Sequence, residues 1–139
     1  MTLYLLDTDH LSQYQRGHAA VMRHLANKTP AQIFTSVITA EEIMRGRLAQ
    51  IRAAKTEAEH IKACYWLVEG LELLKEFAIL PYDQVASQHY QTLRQQKLRV
   101  GSQDLRIAAV ALAAQATLVT ANRIHFAQVS GLPLEDWTT

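Results

Sequence analysis

Three acidic residues stand at comparable places along the chain and could together hold a metal ion. Asp7 directly follows a short apolar run, whereas Glu42 and Asp104 each lie near the start of a helical segment. Carboxylates brought together repel one another, so their pKa values rise unless a cation lies between them. Oxygen ligands without a thiolate partner select Mg²⁺ or Mn²⁺ over zinc. Such a cation activates water and stabilises the oxygens of a phosphodiester undergoing displacement.

Each of these acids also has a purely structural interpretation. A carboxylate near a helix N-terminus contributes about 0.5–2 kcal/mol as a cap, or about 0.3–1 kcal/mol through the helix dipole. Glu42 is the most open to this interpretation, because Thr39 and Glu42 have the spacing of a capping box with Thr39 as N-cap and Glu42 in the first helical turn. The residues alone therefore leave both a metal site and a set of caps open.

The elements that must position these acids alternate along the chain. We predict strands at 3–6, 33–37, 77–80 and 117–120, a short edge strand within 132–137, and helices at 8–15, 18–27, from 39, 57–77, 83–98 and from 101. Short strands that alternate with helices predict an α/β sandwich with a mostly parallel sheet. In such a sheet the strand C-termini and the following helix N-termini share one edge, where ligands bind near the topological switch point. We therefore expect Asp7, Glu42 and Asp104 to converge.

The longest predicted helix, 57–77, carries an apolar stripe that we expect to face the core or a partner. The residues of this stripe are Ile61, Cys64, Leu67, Val68, Leu71 and Leu74. The helix from Gly101 has a face of small residues around Ala108 and Ala111, which allows close packing against a sheet.

Composition sets broad limits on the class of protein. A chain of 139 residues fits one domain spanning 1–139. The formal net charge of +1 does not indicate a strongly basic nucleic-acid binder. The single cysteine, Cys64, allows neither an internal disulfide nor a thiolate zinc cage. No apolar run is long enough for a membrane span, and the run at 3–6 is too short for a signal peptide, so we expect a cytoplasmic protein that does not bind membranes.

Five segments, in order along the chain, resemble the motifs of the PIN-domain family, and among its members the VapC-like toxins. They are 5–9 (LLDTD), 36–46 (SVITAEEIMRG), 101–109 (GSQDLRIAA), 118–126 (LVTANRIHF) and 131–137 (GLPLEDW). In the second motif the family's glutamate lies four residues before a glycine, which selects Glu42 over Glu41. The resemblance covers residues 3 to 137 and implies a PIN-like three-layer α/β/α sandwich.

The resemblance also implies an activity and a set of site residues. Asp7, Glu42 and Asp104 would bind Mg²⁺ or Mn²⁺ and hydrolyse RNA, as in the endoribonuclease toxin of a type II toxin–antitoxin pair. The fourth motif adds three candidate catalytic residues, Thr120, Asn122 and His125. His125 stands where the family often has an acid. We therefore do not count it as an Mg²⁺ ligand, and it either contacts the scissile phosphate or acts as an acid, or is a surface histidine.

Thr120 and Asn122 match the motif and would orient water or a carboxylate. The alternative for both is turn chemistry, because Thr and Asn commonly bond nearby backbone. Asp9 is either a supporting acid beside the metal ligands or simply an acid in the first turn of a helix. Basic residues near these motifs would either contact RNA phosphates or form a solvated face: Arg45, Arg47, Arg94, Lys97, Arg99 and Arg106.

The partners implied by the resemblance are RNA and a cognate antitoxin. The helices within 10–25 and 43–75 would receive an antitoxin helix in a groove near the active site, unless their apolar faces are buried within this chain. We also expect a homodimer or a larger assembly. Two alternatives stay open, a PIN-domain RNA-processing nuclease without an antitoxin and a non-catalytic scaffold.

Overall fold

A computed structural model describes all residues from Met1 to Thr139. Its centre is made of five short strands: β1 (Tyr4–Leu6), β2 (Ile33–Ser36), β3 (Ala78–Leu80), β4 (Thr117–Val119) and β5 (Leu134–Glu135). They form one sheet in the order β3-β2-β1-β4-β5, and every pairing is parallel. The predicted mostly parallel sheet is confirmed.

Seven α-helices connect and cover the strands. They are α1 (Thr8–Gln15), α2 (Ala19–Ala26), α3 (Val37–Ala53), α4 (Glu57–Lys75), α5 (Gln84–Gln95), α6 (Ser102–Ala114) and α7 (Arg123–Phe126). A single 3₁₀ turn spans Pro30–Gln32 ahead of β2. No helix is both long enough and apolar enough to cross a bilayer.

The sheet separates two hydrophobic clusters because successive residues of a strand point to opposite faces. On β1, Leu5 belongs to a cluster that includes residues of α5 and α6. Its neighbour Leu6 belongs to the other cluster, with residues of α1, α2, α3 and α4. On β4, Leu118 and Val119 divide in the same way. The predicted three-layer α/β/α sandwich is therefore confirmed.

Helix α6 packs closely against this sheet, as its small-residue face predicts. Ala108 and Ala111 are fully buried, and Ile107 is almost so. Gly101, whose backbone is extended, is the N-cap of this helix, and Asp104 lies in the first turn.

The start of α3 corrects the predicted capping box. Ser36, the last residue of β2, is the N-cap, and its side chain accepts a hydrogen bond from the backbone N–H of Thr39 at 3.0 Å. The helix therefore begins directly at the strand end, and Glu42 lies in the second turn. Thr39 is not the cap, because it lies inside the helix and its own backbone N–H donates to Ser36.

Helix α4 buries a different face from the predicted stripe. Its buried residues are Ala63, Gly70 and Leu73. A Cβ placed on Gly70 would lie 3.0 Å from Nη1 of Arg47, so this small residue allows α3 to pack closely. Most of the predicted stripe is left outside the core, and Ile61 is 66% exposed.

Candidate active site

A cleft of about 230 Å³ lies at the C-terminal edge of the sheet, where residues following β1 and β4 meet. From β1 the chain first adds β2 and β3 on one side of the sheet, and it later adds β4 and β5 on the other side. The cleft therefore lies at the topological switch point, where ligands bind in parallel α/β folds. The cleft is lined by Asp7, Thr8, Asp9, Glu42, Asp104, Ile107, Asn122 and Phe126. The structure thus brings the three predicted acids together.

Asp7 is held in place by the helix that it caps. Its Oδ1 accepts hydrogen bonds from the backbone N–H of His10 at 2.9 Å and from the His10 ring at 3.2 Å. Its own backbone N–H donates to the carbonyl of Val119 on β4. All side-chain bonds go to Oδ1, so Oδ2 has no protein donor and is free for a ligand.

Glu42 reaches the same cleft from α3. The hydroxyl of Thr8 lies 3.4 Å from Oε1 of Glu42 and 3.1 Å from Oγ1 of Thr39. Burial raises the pKa of the Glu42 carboxyl above its ordinary value, and this outweighs the opposing contact with Thr8. The negative charge of Asp104 raises the pKa further. Both effects disfavour the charged form unless a cation compensates it.

Asp104 completes the group from the first turn of α6. Burial is the largest cause that raises the pKa of its carboxyl, followed by the charges of Asp7 and Asp9. His125 acts in the opposite direction. The carboxylates of the cleft therefore repel one another across it.

The neighbouring acids divide into one that lines the cleft and one that does not. Asp9 lines the cleft from an exposed position on α1. Glu41 forms an ion pair with Arg45 and accepts a hydrogen bond from the side chain of Gln103. The choice of Glu42 over Glu41 agrees with this placement.

The residues of the fourth motif are placed differently from one another. Asn122 lines the cleft, and its side chain makes no capping bond to α7. Thr120 is fully buried, and its Oγ1 accepts a hydrogen bond from the backbone N–H of Asn122 at 3.0 Å. This hydrogen bond to nearby backbone is the turn role that was the alternative to a catalytic role for Thr120. His125 is exposed outside the cleft lining, near enough to influence Asp104.

Sequence reasoning did not single out two polar residues at this site. Thr8 lines the cleft, and its position between Asp7 and Asp9 in the first motif was the available signal. His10 contacts Asp7 from a fully buried position, and its place three residues after an N-cap was the only local indication.

Two of the basic candidates, Arg47 and Arg106, contact aromatic residues outside the cleft lining. The guanidinium of Arg47 packs 4.9 Å from the Trp66 ring and donates to the Trp66 carbonyl. Arg106 lies 4.2 Å from the centre of the Tyr90 ring. These contacts favour a structural role for both side chains.

The donor chemistry of the cleft fits a hard divalent cation. Its polar lining consists of carboxylate, hydroxyl and amide groups, with no thiolate or imidazole. No three His, Cys, Asp or Glu side chains lie close enough together to hold an ion by themselves. Mg²⁺ usually keeps several waters and is bound through one or two carboxylates together with substrate phosphates. An ion coordinated partly through water is therefore compatible with this spacing.

Comparison with known proteins places this geometry in a family. The PIN domain family matches residues 4–132. Ribonuclease VapC1 of Haemophilus influenzae is 26% identical over 140 residues, covering 98% of both chains. A crystal structure of VapBC2 from Rickettsia felis, bound to a DNA fragment from its promoter, matches with 27% identity and a TM-score of 0.75, covering 98% of this chain and 99% of that one.

A second solved structure supports the fold alone. The DNA-bound VapBC of Salmonella typhimurium has 24% identity and a TM-score of 0.76, with 99% of both chains covered. The family match extends from β1 almost to β5 and includes every residue that lines the acidic cleft. The chain therefore belongs to the PIN-domain family.

Proposed function

We propose that this protein is a Mg²⁺- or Mn²⁺-dependent endoribonuclease and the toxin of a type II toxin–antitoxin pair. The observation that carries the proposal is the convergence of Asp7, Glu42 and Asp104, from three separate elements, on one cleft at the switch point. The similarity to Ribonuclease VapC1 over almost the whole chain supports RNA as the substrate.

The chain's residues have distinct parts in this reaction. Asp7, through its free Oδ2, would hold the cation together with Glu42 and Asp104, with water completing the coordination where the carboxylates do not reach the ion directly. When bound, the cation supplies an activated water and stabilises the oxygens of the phosphodiester. The burial and mutual repulsion that raise the pKa values of Glu42 and Asp104 would make both carboxylates favourable partners for a positive charge. Asn122, which lines the cleft and whose amide makes no capping bond, would orient the water or the RNA.

Asp7→Asn and Asp104→Asn should each abolish Mg²⁺-dependent RNA cleavage while the fold persists, because each loses a charged oxygen ligand. Cleavage of tRNA, rRNA and mRNA pools by the purified chain, with and without Mg²⁺, measures this. Asp83→Asn is the matched control, because Asp83 caps α5 as Asp7 caps α1 but does not line the cleft. Full activity of the Asp104→Asn protein would reject the site.

For the partner, we propose an antitoxin helix in the groove between α1, α2 and α4. This groove has a volume of about 490 Å³, and its lining includes Met22 and Val68 beside Glu69, Glu72 and Glu76. An amphipathic helix with basic residues beside its apolar face complements this surface. Thr8 at the cleft and Tyr14 at the groove are six residues apart on α1, or about 9 Å along the helix axis. The groove is therefore near the active site.

Val68→Asp should weaken capture of the antitoxin, because it places a buried charge in the groove once the partner binds. The measurement is co-purification with a small DNA-binding protein encoded beside this gene, and rescue of growth by that protein. Val85→Asp is the matched control, since Val85 is similarly exposed, at 50% against 54%, but lies on α5. Equal capture of the antitoxin by both variants would show that it does not bind in this groove.

Light scattering of the free chain tests the expected homodimer or larger assembly.

A toxin should arrest growth when expressed alone and be neutralised by its antitoxin. Cleavage of RNA without growth arrest would favour the processing nuclease instead. Neither metal binding nor cleavage by the folded chain would favour the non-catalytic scaffold.

A further inference from the structure

His10 lies in the first turn of α1 and is completely buried, yet both of its ring nitrogens have polar partners. Nδ1 lies 3.2 Å from Oδ1 of Asp7. Nε2 lies 3.2 Å from the backbone N–H of Trp137, which is 127 residues away in the sequence. A histidine in the protein interior thus connects the C-terminal residues to a carboxylate of the cleft.

The partners of His10 determine where its proton lies. The backbone N–H of Trp137 can only donate, so Nε2 must be the unprotonated nitrogen that accepts. The ring proton is then on Nδ1 and is donated to Asp7. Asp136 Oδ1, at 3.7 Å from Nε2, is too far for a hydrogen bond. Trp137 therefore donates a hydrogen bond to His10, and His10 donates one to Asp7.

The C-terminal end of this connection is held by packing. The Trp137 side chain is fully buried, and the His24 ring stacks on it at 5.4 Å, nearly parallel. Lys28 Nζ lies 4.8 Å from the centre of the Trp137 ring, and the indole N–H donates to Glu135 at 2.9 Å. The backbone N–H that His10 accepts from therefore has a fixed position.

We propose that His10 is a positioning residue, which couples the C-terminal tail (residues 136–139) to Asp7 and keeps Oδ2 of Asp7 available for a divalent cation. The inference rests on the proposed metal-dependent function. The backbone N–H of His10 already bonds Oδ1, and the ring N–H adds a second bond to the same oxygen. Two donors on one oxygen fix the rotation of the carboxylate and leave its other oxygen for the ligand.

The partners that hydrogen-bond a metal-binding carboxylate contribute to metal affinity, and their loss typically costs about 10–100-fold. A purely structural histidine would contribute to the free energy of unfolding without changing the affinity for a cation. Metal binding measured without RNA therefore distinguishes the two roles.

Two substitutions separate the bonds made by the ring. In His10→Asn the amide nitrogen can replace Nδ1 and still donate to Asp7, while the bond to Trp137 is lost. In His10→Gln the longer side chain can place its carbonyl oxygen at Nε2, so the bond to Trp137 is kept and the donation to Asp7 is lost. We expect His10→Gln to weaken Mn²⁺ binding by about 10–100-fold. His10→Asn should bind Mn²⁺ more tightly than His10→Gln.

Calorimetric titration of the purified chain with Mn²⁺ gives the affinities, and thermal melting of each variant gives its stability. His18→Gln is the matched control, because His18 accepts from the backbone N–H of Val21 at the start of α2 and has no hydrogen bond to Trp137 or Asp7. It should melt at a lower temperature with unchanged Mn²⁺ affinity. Equal affinities of the unaltered chain and His10→Gln would overturn the inference about His10 but not the nuclease proposal. No Mn²⁺ binding by the unaltered chain would overturn both.

Nuclear magnetic resonance of the unaltered chain tests the inference even where a buried substitution prevents folding. The ring ¹⁵N shifts of His10 should show the proton on Nδ1, and Mg²⁺ should shift these signals and leave those of His18, which caps α2, in place. A proton on Nε2, or His10 signals that do not respond to bound Mg²⁺, would contradict the positioning role.

Discussion

At the scale of single residues, the cleft concentrates negative charge in a partly buried place. Burial is the largest cause that raises the pKa values of both Glu42 and Asp104, and neighbouring carboxylates add to it. Groups with shifted pKa values are typical of functional sites, because the arrangement that binds a ligand is unfavourable without it. The same repulsion makes the stability of the cation-free protein depend on pH.

Because the pKa of Asp104 is raised in the folded state, the folded chain binds more protons than the unfolded chain between the unfolded pKa of about 3.8 and the higher folded pKa. The free energy of unfolding should therefore fall as pH rises through the window between the unfolded and folded pKa values. Asp104→Asn removes this dependence. At pH 7 without metal we expect it to be more stable by less than about 1 kcal/mol, since the group is partly exposed and the helix dipole favours the acid.

Urea denaturation of both chains at pH 4 and pH 7, in the presence of a chelator, measures this difference. Asp83→Asn should behave like the unaltered chain at both values, because Asn and Asp cap helices about equally well. A stability gain from Asp104→Asn that is larger at pH 4 than at pH 7 would contradict the sign.

At the scale of elements, the connection between β2 and α3 decides how Glu42 reaches the cleft. Ser36 ends the strand and caps the helix, so no loop separates the two. Five helical residues precede Glu42, and the hydroxyl of Thr39 is directed toward Thr8 of α1. The helix start thus sets the height of the Glu42 side chain above the sheet edge.

Ser36→Ala should lower the free energy of unfolding by about 1 kcal/mol, because the backbone N–H of Thr39 loses its acceptor. Hydrogen exchange resolved by residue should show faster exchange of the Thr39 amide, with little change at Glu42. If Thr39 were the cap, the Glu42 amide would instead be the first to respond to changes at the helix start. Thr56→Ala, which removes the cap of α4, gives a reference for the size of the stability loss.

At the scale of the whole molecule, the C-terminal residues close one of the two hydrophobic clusters. Trp137 belongs to the cluster that includes Leu6, Leu11 and Val119, and its ring is tilted against Tyr4 at 5.3 Å. The end of the chain thus packs beside its first strand, and both ends contribute to the layer that carries α1.

Trp137→Ala should cost about 3–5 kcal/mol, because it removes a large buried side chain and leaves a cavity. This is a large share of the roughly 5–15 kcal/mol that stabilises a domain. Trp66→Ala is the control, since Trp66 is 48% exposed, and we expect less than about 1 kcal/mol there. Denaturation curves of both variants measure the costs, and a similar loss in each would show that the tail is not part of the core.

The sequence by itself determined the parts of this protein that depend on local pattern. Apolar runs located the strands, and their alternation with helices indicated the parallel sheet. The sheet edge then predicted that Asp7, Glu42 and Asp104 would converge, which the structure shows. The Asp83 cap of α5 and the small-residue face of α6 were equally visible, because each depends on residues only a few positions apart.

Tertiary structure decided which polar atoms and which helix faces find partners. Thr39 fits a capping box locally, but Ser36 is already positioned by β2 and takes the bond. The apolar residues of α4 do not reveal which of them face the core, because the small Gly70 sets the packing against α3. The contact between His10 and Trp137 joins opposite ends of the chain and has no local signal. Periodicity specifies backbone and amphipathic pattern, whereas hydrogen-bond partners far apart in sequence exist only once the layers have packed.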